Sequence, residues 1–143
     1  MTPSSIPIAD LRREYSRIRS EIDEAIDRVL QRGWFVLGEE GQAFETEWAR
    51  YCDVQHAVGV GNGTDAIQLA LRAAGIGPGD EVILPALTAT FSALAVSMAG
   101  ATPVFADVDP QRYTLDPAAF EAAITPRTAA VIPVHLYGCP ADM

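Results

Sequence analysis

The residues best suited to chemistry lie in Gly61-Asn62-Gly63-Thr64-Asp65-Ala66. The short apolar run Ala57-Val58-Gly59-Val60 precedes them, and Ile67, Ala70, Leu71 and Ala74 follow at helical spacing. Strand, tight turn and helix in that order aim backbone N–H groups and the positive end of a helix at one point, which suits an anion such as phosphate. Gly61 and Gly63 let the backbone approach a ligand, and Thr64 is a candidate N-cap whose hydroxyl can turn to a phosphate oxygen instead. A strand-to-helix turn with no ligand fits the same residues.

Other chemistries are less well served. Gly61-x-Gly63-x-x-Ala66 satisfies the relaxed dinucleotide fingerprint, but that fold needs an acidic residue closing the second strand. After Leu84 come Pro85, Ala86, Leu87 and Thr88, and Glu81 is at the wrong end. No Gly-Lys-Ser or Gly-Lys-Thr exists, so there is no P-loop. His56 and His135 are far apart and neither has a partner at metal-ligand spacing, so no metal site is assigned. His135, at a strand end, is a candidate to face a ligand, whereas His56 reads as a loop histidine. Asp107 and Asp109 share a face in alternating geometry and suit an acid–base pair, but an acidic turn before Pro110 explains them equally.

The elements that must position these residues fall into two parts. Over 1–56 the pattern is helical. Leu11, Tyr15, Ile18, Ile22, Ile26 and Val29 form one apolar face, with Asp10 as cap and Gly33 as stop. The loop Trp34-Phe35-Val36-Leu37 is apolar between glycines and needs a cover, such as another subunit. Phe44, Trp48 and Tyr51 follow at i, i+4 and i+7 and read as core. Over 57–143 the rhythm alternates. Strands are expected at 57–60, 81–84, 102–106 and 129–134, and helices after the glycine turn, over 88–99 and from Asp116-Pro117 to about Ile124. Such a βαβαβαβ unit implies an α/β fold with a mostly parallel sheet and helices on both faces. The abrupt end at Cys139-Pro140-Ala141-Asp142-Met143 leaves the last strand without an expected cover, so the α/β domain reads as incomplete.

Composition narrows the partners. The chain has 143 residues and a formal net charge of −9, which disfavours nucleic acid and anionic membrane, so a phosphate site must be built locally from backbone amides. Two cysteines, Cys52 and Cys139, make no disulfide framework. Residues 1–9 show no export signal and no apolar run reaches membrane-spanning length, so a cytoplasmic protein is expected. All ten basic residues are arginine; there is no lysine.

Four motifs occur in order: Asn62-Gly63-Thr64-Asp65-Ala66; Gly75-Ile76-Gly77-Pro78-Gly79-Asp80-Glu81-Val82-Ile83-Leu84-Pro85-Ala86; Ala99-Gly100-Ala101-Thr102-Pro103-Val104-Phe105-Ala106-Asp107-Val108-Asp109; and Ile132-Pro133-Val134-His135-Leu136-Tyr137-Gly138. With them the chain resembles, over nearly its whole length, the N-terminal part of the DegT/DnrJ/StrS-type sugar aminotransferases. These are fold-type-I enzymes that use pyridoxal 5′-phosphate (PLP). The resemblance implies transfer of an amino group, usually from glutamate, to a nucleotide-linked keto-sugar by a homodimer. It also implies that Gly63, Thr64 and Asp65 give backbone amides, and Thr64 its hydroxyl, to the PLP phosphate.

Two departures from the family stand out. The aromatic residue that the family places directly after the threonine of its Pro-Ala-x-Thr motif, stacked on the pyridine ring, is Ala89 here. Phe91 comes two residues later, a rotation of roughly 200° on a helix. Phe91 replaces the stack if the backbone there is not yet helical; otherwise it is core. The family's cofactor-binding lysine and its pyridine-pairing acid belong to later motifs, so no catalytic residue is assigned and the chain by itself is expected to be inactive. The family also includes dehydratases in which histidine replaces that lysine. A non-catalytic phosphate- or nucleotide-binding module is the alternative outside the family.

Overall fold

A computed structural model describes residues 9–143, so most of the stretch read for an export signal lies outside the described residues. The chain divides into two compact units, Met1–Gly59 and Val60–Met143. Among the described residues no helix is long and apolar enough to cross a membrane.

The first unit is helical. Helix α1 spans Leu11–Arg32 and α2 spans Glu39–Tyr51. Asp10 caps α1 by accepting from the Arg13 N–H at 3.0 Å. Gly33 ends it at φ 67, a left-handed conformation that costs glycine little, and donates to Val29 O at 3.0 Å. The helices are tied by a forked pair from Arg28 to Glu40, with Nε–Oε1 at 2.6 Å and Nη2–Oε2 at 3.1 Å, and by Arg32 with Glu39.

Burial here departs from expectation. No residue of α1 is buried, and Ala49 alone is buried in α2. Phe44, Trp48 and Tyr51, expected in a core, are 55%, 49% and 82% exposed. Their spacing makes one face, as the periodicity requires, but that face is open and the rings pack on each other. Centroids are 5.8 Å apart for Phe44 and Trp48, and 5.5 Å for Trp48 and Tyr51. The loop residues Trp34, Phe35, Val36 and Leu37 are likewise exposed.

The second unit alternates helix and strand: α3 (Gly63–Ala73), β1 (Glu81–Pro85), α4 (Phe91–Ala99), β2 (Thr102–Ala106), α5 (Pro117–Ala123) and β3 (Thr128–Val131), then a short 3-10 turn at Leu136–Gly138. The sheet is parallel in the order β2-β1-β3, with Val82 opposite Pro103 and Ala130. Central β1 is buried along its whole length, the pattern of a strand covered on both faces. Alternation sends Val82 to one face, with Leu71, Val96, Ala99 and Ala101, and Ile83 to the other, with Ala106, Leu115, Phe120 and Ala123. Thus α3 and α4 cover one side and α5 the other.

Two strand expectations change. Residues 57–60 form no strand: Val58 is 78% exposed, and Gly59 donates its N–H to the Glu45 carboxylate at 2.7 Å instead of to a ladder. The last strand stops at Val131, one residue before the run that leads into Pro133, which has no N–H to continue the ladder. Glu81 opens β1 at 5% exposure, bonded by Thr125 Oγ1 and by Arg127, whose Nε is 3.0 Å from its Oε1. These bonds, Thr125's first, hold the Glu81 carboxyl below its ordinary value of 4.5.

Candidate functional site

The N-terminus of α3 is set by Asn62, not by Thr64. Asn62 is extended at φ −166, ψ 176, and its Oδ1 accepts from the Asp65 N–H at 3.0 Å. Its Nδ2 donates to Asp65 Oδ2 at 2.9 Å, and its carbonyl accepts the Ala66 N–H at 3.1 Å. Cap and third residue thus bond each other, a variant of the capping box. Thr64, expected as the cap, is the second helical residue because Asn62 already occupies that role two positions earlier.

This arrangement decides which donors are free. The first N–H groups of a helix have no partner within it. Those of Gly63 and Thr64 have none elsewhere among the described residues, and the half-buried Thr64 hydroxyl has none either. The Asp65 amide, expected to serve an anion, is committed to Asn62. Its carboxylate lies so close to Gly61 that a Cβ there would be 2.7 Å from Oδ2.

Phe91 reaches the same place from α4. Its backbone is helical, yet its ring is not core. Thr90, before it, is already helical at φ −49, ψ −26, so the backbone is not extended. Nor is Phe91 core, being 63% exposed. It lines an open groove of about 650 Å³ with Asn62, Gly63, Thr64, Ser92 and Met98. Among the described residues Asp65 is the only charged one along that groove, so an anion there would be attracted by the helix end and its free amides. A phosphate ester carrying a flat ring fits these groups: two amides and a hydroxyl for the oxygens, and an exposed aromatic face beside them.

The remaining candidates have other duties. Asp109 Oδ1 accepts from the N–H groups of Arg112 and Gln111, each at 2.8 Å, and those bonds hold its carboxyl below the ordinary value of 3.8. That is the acidic turn, not one half of an acid–base pair. His135 Nδ1 accepts from the Ala141 N–H at 2.9 Å, which places the neutral ring's proton on Nε2. His56 is exposed in the first unit. Sequence reasoning missed Asn62 as cap, although Asn-x-x-Asp is the spacing that would have found it. It missed Ser92 and Met98 because a groove between two helices has no signature along one of them.

The sequence pattern of the DegT/DnrJ/EryC1/StrS aminotransferase family matches residues 16–143. The chain belongs to this family. It is 56% identical over 138 residues to the dTDP-3-amino-3,4,6-trideoxy-alpha-D-glucose transaminase of Streptomyces venezuelae, covering 96% of this chain and 36% of that protein. It is 54% identical over 140 residues to the UDP-N-acetyl-3-dehydro-alpha-D-glucosamine 3-aminotransferase of Acidithiobacillus ferrooxidans, covering 98% of this chain and 38% of that protein. Among solved structures, Streptomyces venezuelae DesV superposes with a TM-score of 0.92 at 56% identity, over 96% of this chain and 37% of DesV. Bacillus subtilis NtdA, solved with bound cofactor PMP, superposes at 0.88 and 35% identity, over 96% of this chain and 32% of NtdA. This member of the DegT/DnrJ/EryC1/StrS family therefore spans little more than a third of the length of those curated relatives. Its α/β fold, a parallel sheet with helices on both faces, is the one expected from its residue pattern and the one its solved relatives have.

Proposed function

We propose that this chain supplies the cofactor-phosphate cup of a PLP-dependent aminotransferase. The enzyme would move an amino group from an amino-acid donor, glutamate, to a nucleotide-linked keto-sugar, working in the cytoplasm as a homodimer. The observation that carries the reading is the pair of free amides at Gly63 and Thr64 beside a partnerless Thr64 hydroxyl, in a groove that also presents Phe91. Family membership and the sugar transaminases among its relatives support the reaction class. Within this reading residues 1–56 are a helical segment that contributes to the subunit contact through 34–37, and 57–143 are the cofactor-binding part.

When bound, PLP supplies the electron sink through which an amino group and a carbonyl are exchanged. The chain's own residues bind and orient. Gly63 and Thr64 donate to phosphate oxygens, the α3 end adds its partial positive charge, and the Asn62–Asp65 bonds hold the turn in place before the ligand arrives. The Phe91 ring offers an apolar wall to the pyridine side. Asp65 acts on the turn rather than on the phosphate.

Thr64→Ala tests the cup. Removing a hydrogen bond to a charged group is expected to weaken PLP binding by on the order of 1.5–3 kcal/mol, read by absorbance titration or equilibrium dialysis. Equal affinities would take Thr64 out of the site. Because every basic side chain here is arginine, which stays protonated and is a poor nucleophile, the chain is expected to hold PLP non-covalently and to show no turnover. Borohydride reduction with peptide mass mapping checks this, and a phosphopyridoxyl adduct at an internal residue would contradict it.

A further inference from the structure

The last carbonyls of a helix have no partner within it. In α4 that end is closed in two ways. Gly100 donates to Ser97 O at 3.0 Å and Ala101 to Val96 O at 3.2 Å, the ordinary glycine-terminated turn. The Met98 carbonyl instead accepts from α3, taking Gln68 Nε2 and Arg72 Nη2, each at 3.0 Å. Gln68 and Arg72 are four residues apart and so project from one face of α3. A cation at a helix C-terminus is also favoured by the helix dipole.

We infer that Gln68 and Arg72 are positioning residues that set the register of α4 on α3 and thereby hold Phe91 at the groove. Met98 and Phe91 are seven residues apart, two helical turns, on the same side of α4, and both line the groove. Gripping the Met98 carbonyl therefore fixes the axial and rotational setting of the helix that carries Phe91. The buried positions of α4 are Ser92, Ala95, Val96 and Ala99, mostly small side chains whose contacts carry no direction. A directional bond from two donors to one oxygen cannot slide without breaking. Neither Gln68 nor Arg72 lines the groove, so any effect they have on a ligand passes through the setting of α3 and α4 on each other.

This inference rests on the reading that the groove holds PLP, and the test separates the two. PLP affinity is measured for the chain and for Gln68→Leu with Arg72→Leu, Phe91→Leu, and the three substitutions combined, with circular dichroism to confirm folding. The clamp variant is expected to bind about three- to tenfold more weakly, the scale of one net hydrogen bond. Combined with Phe91→Leu it should add nothing, because the two act through one contact. Arg72→Lys with Gln68 intact should stay within about twofold of the parent, since a donor is retained. An unchanged affinity in the clamp variant, or losses that add to that of Phe91→Leu, would overturn the inference. Should the double substitution fail to fold, Gln68→Leu alone is carried through the same cycle. If Thr64→Ala weakens binding while the clamp variants do not, the cup stands and the positioning role falls. If the parent chain shows no PLP binding, the cup itself falls and this inference with it.

Discussion

The two compact units place similar apolar sequences in opposite circumstances. In Val60–Met143, Val82, Ile83 and Leu84 are fully buried in succession, closed by helices on both sheet faces. In Met1–Gly59, α1 runs 22 residues with no buried position and α2 buries only Ala49. Amphipathic spacing tells which side of a helix is apolar; a core forms only where a second layer closes over that side. The helical unit is therefore held by caps, glycine stops and arginine–carboxylate pairs, the sheet unit by packing.

The largest consequence is in the core. Ile83→Ala should cost about 2–5 kcal/mol, the range for truncating a fully buried aliphatic side chain. Ile26→Ala, at a position 51% exposed on α1, should change stability by no more than about 0.5 kcal/mol. Urea denaturation followed by circular dichroism compares them, and equal costs would break the contrast.

Acid sharpens the contrast next. The folded value of Glu81 is depressed, so its contribution is fully present above its ordinary value of 4.5 and is lost as pH falls through the lower, folded value. The urea midpoint of the sheet unit should fall as the pH drops below the ordinary carboxyl value of 4.5, and Glu81→Gln should flatten that dependence. Glu40 is depressed in the same direction, chiefly by its bond from Arg28, but that pair is exposed and added salt should weaken it far more than the Glu81 cluster.

The smallest change is local to the helical unit. Asp10→Ala removes the cap that accepts from Arg13, and α1 should lose about 1 kcal/mol. Hydrogen exchange should speed up in the first turns of α1 and leave β1 protection unchanged. Slower β1 protection loss than α1 loss in the parent chain is the baseline for that reading.

Much of this was legible in the residues. Asp10 and Gly33 bounded α1, and Asp116-Pro117 opened α5, because caps are chemical signals that act within a few residues. β1 and β2 were legible from their apolar runs. The expected strand at 57–60 was not real. Its apolar letters matched a strand, but pairing is decided by neighbours, and Gly59 found Glu45 instead. Thr64 and Asn62 are both good caps, and only the backbone angles distinguish them. Phe44, Trp48 and Tyr51 showed a face without showing that no described residue of their unit buries it. In the candidate site, the glycine turn was readable as the start of a helix, whereas the bond from the Asp65 amide to Asn62 depends on a side-chain rotamer that letters do not specify.

The stacked ladder of Phe44, Trp48 and Tyr51 has an optical consequence. Both tryptophans of the chain, Trp34 and Trp48, belong to Met1–Gly59, and the sheet unit carries only the tyrosines Tyr113 and Tyr137. All indole emission therefore originates in the helical unit. An unfolding curve recorded by tryptophan fluorescence starts from probes in Met1–Gly59 alone. Coincidence of that curve with one recorded by circular dichroism would then measure whether the two units melt together.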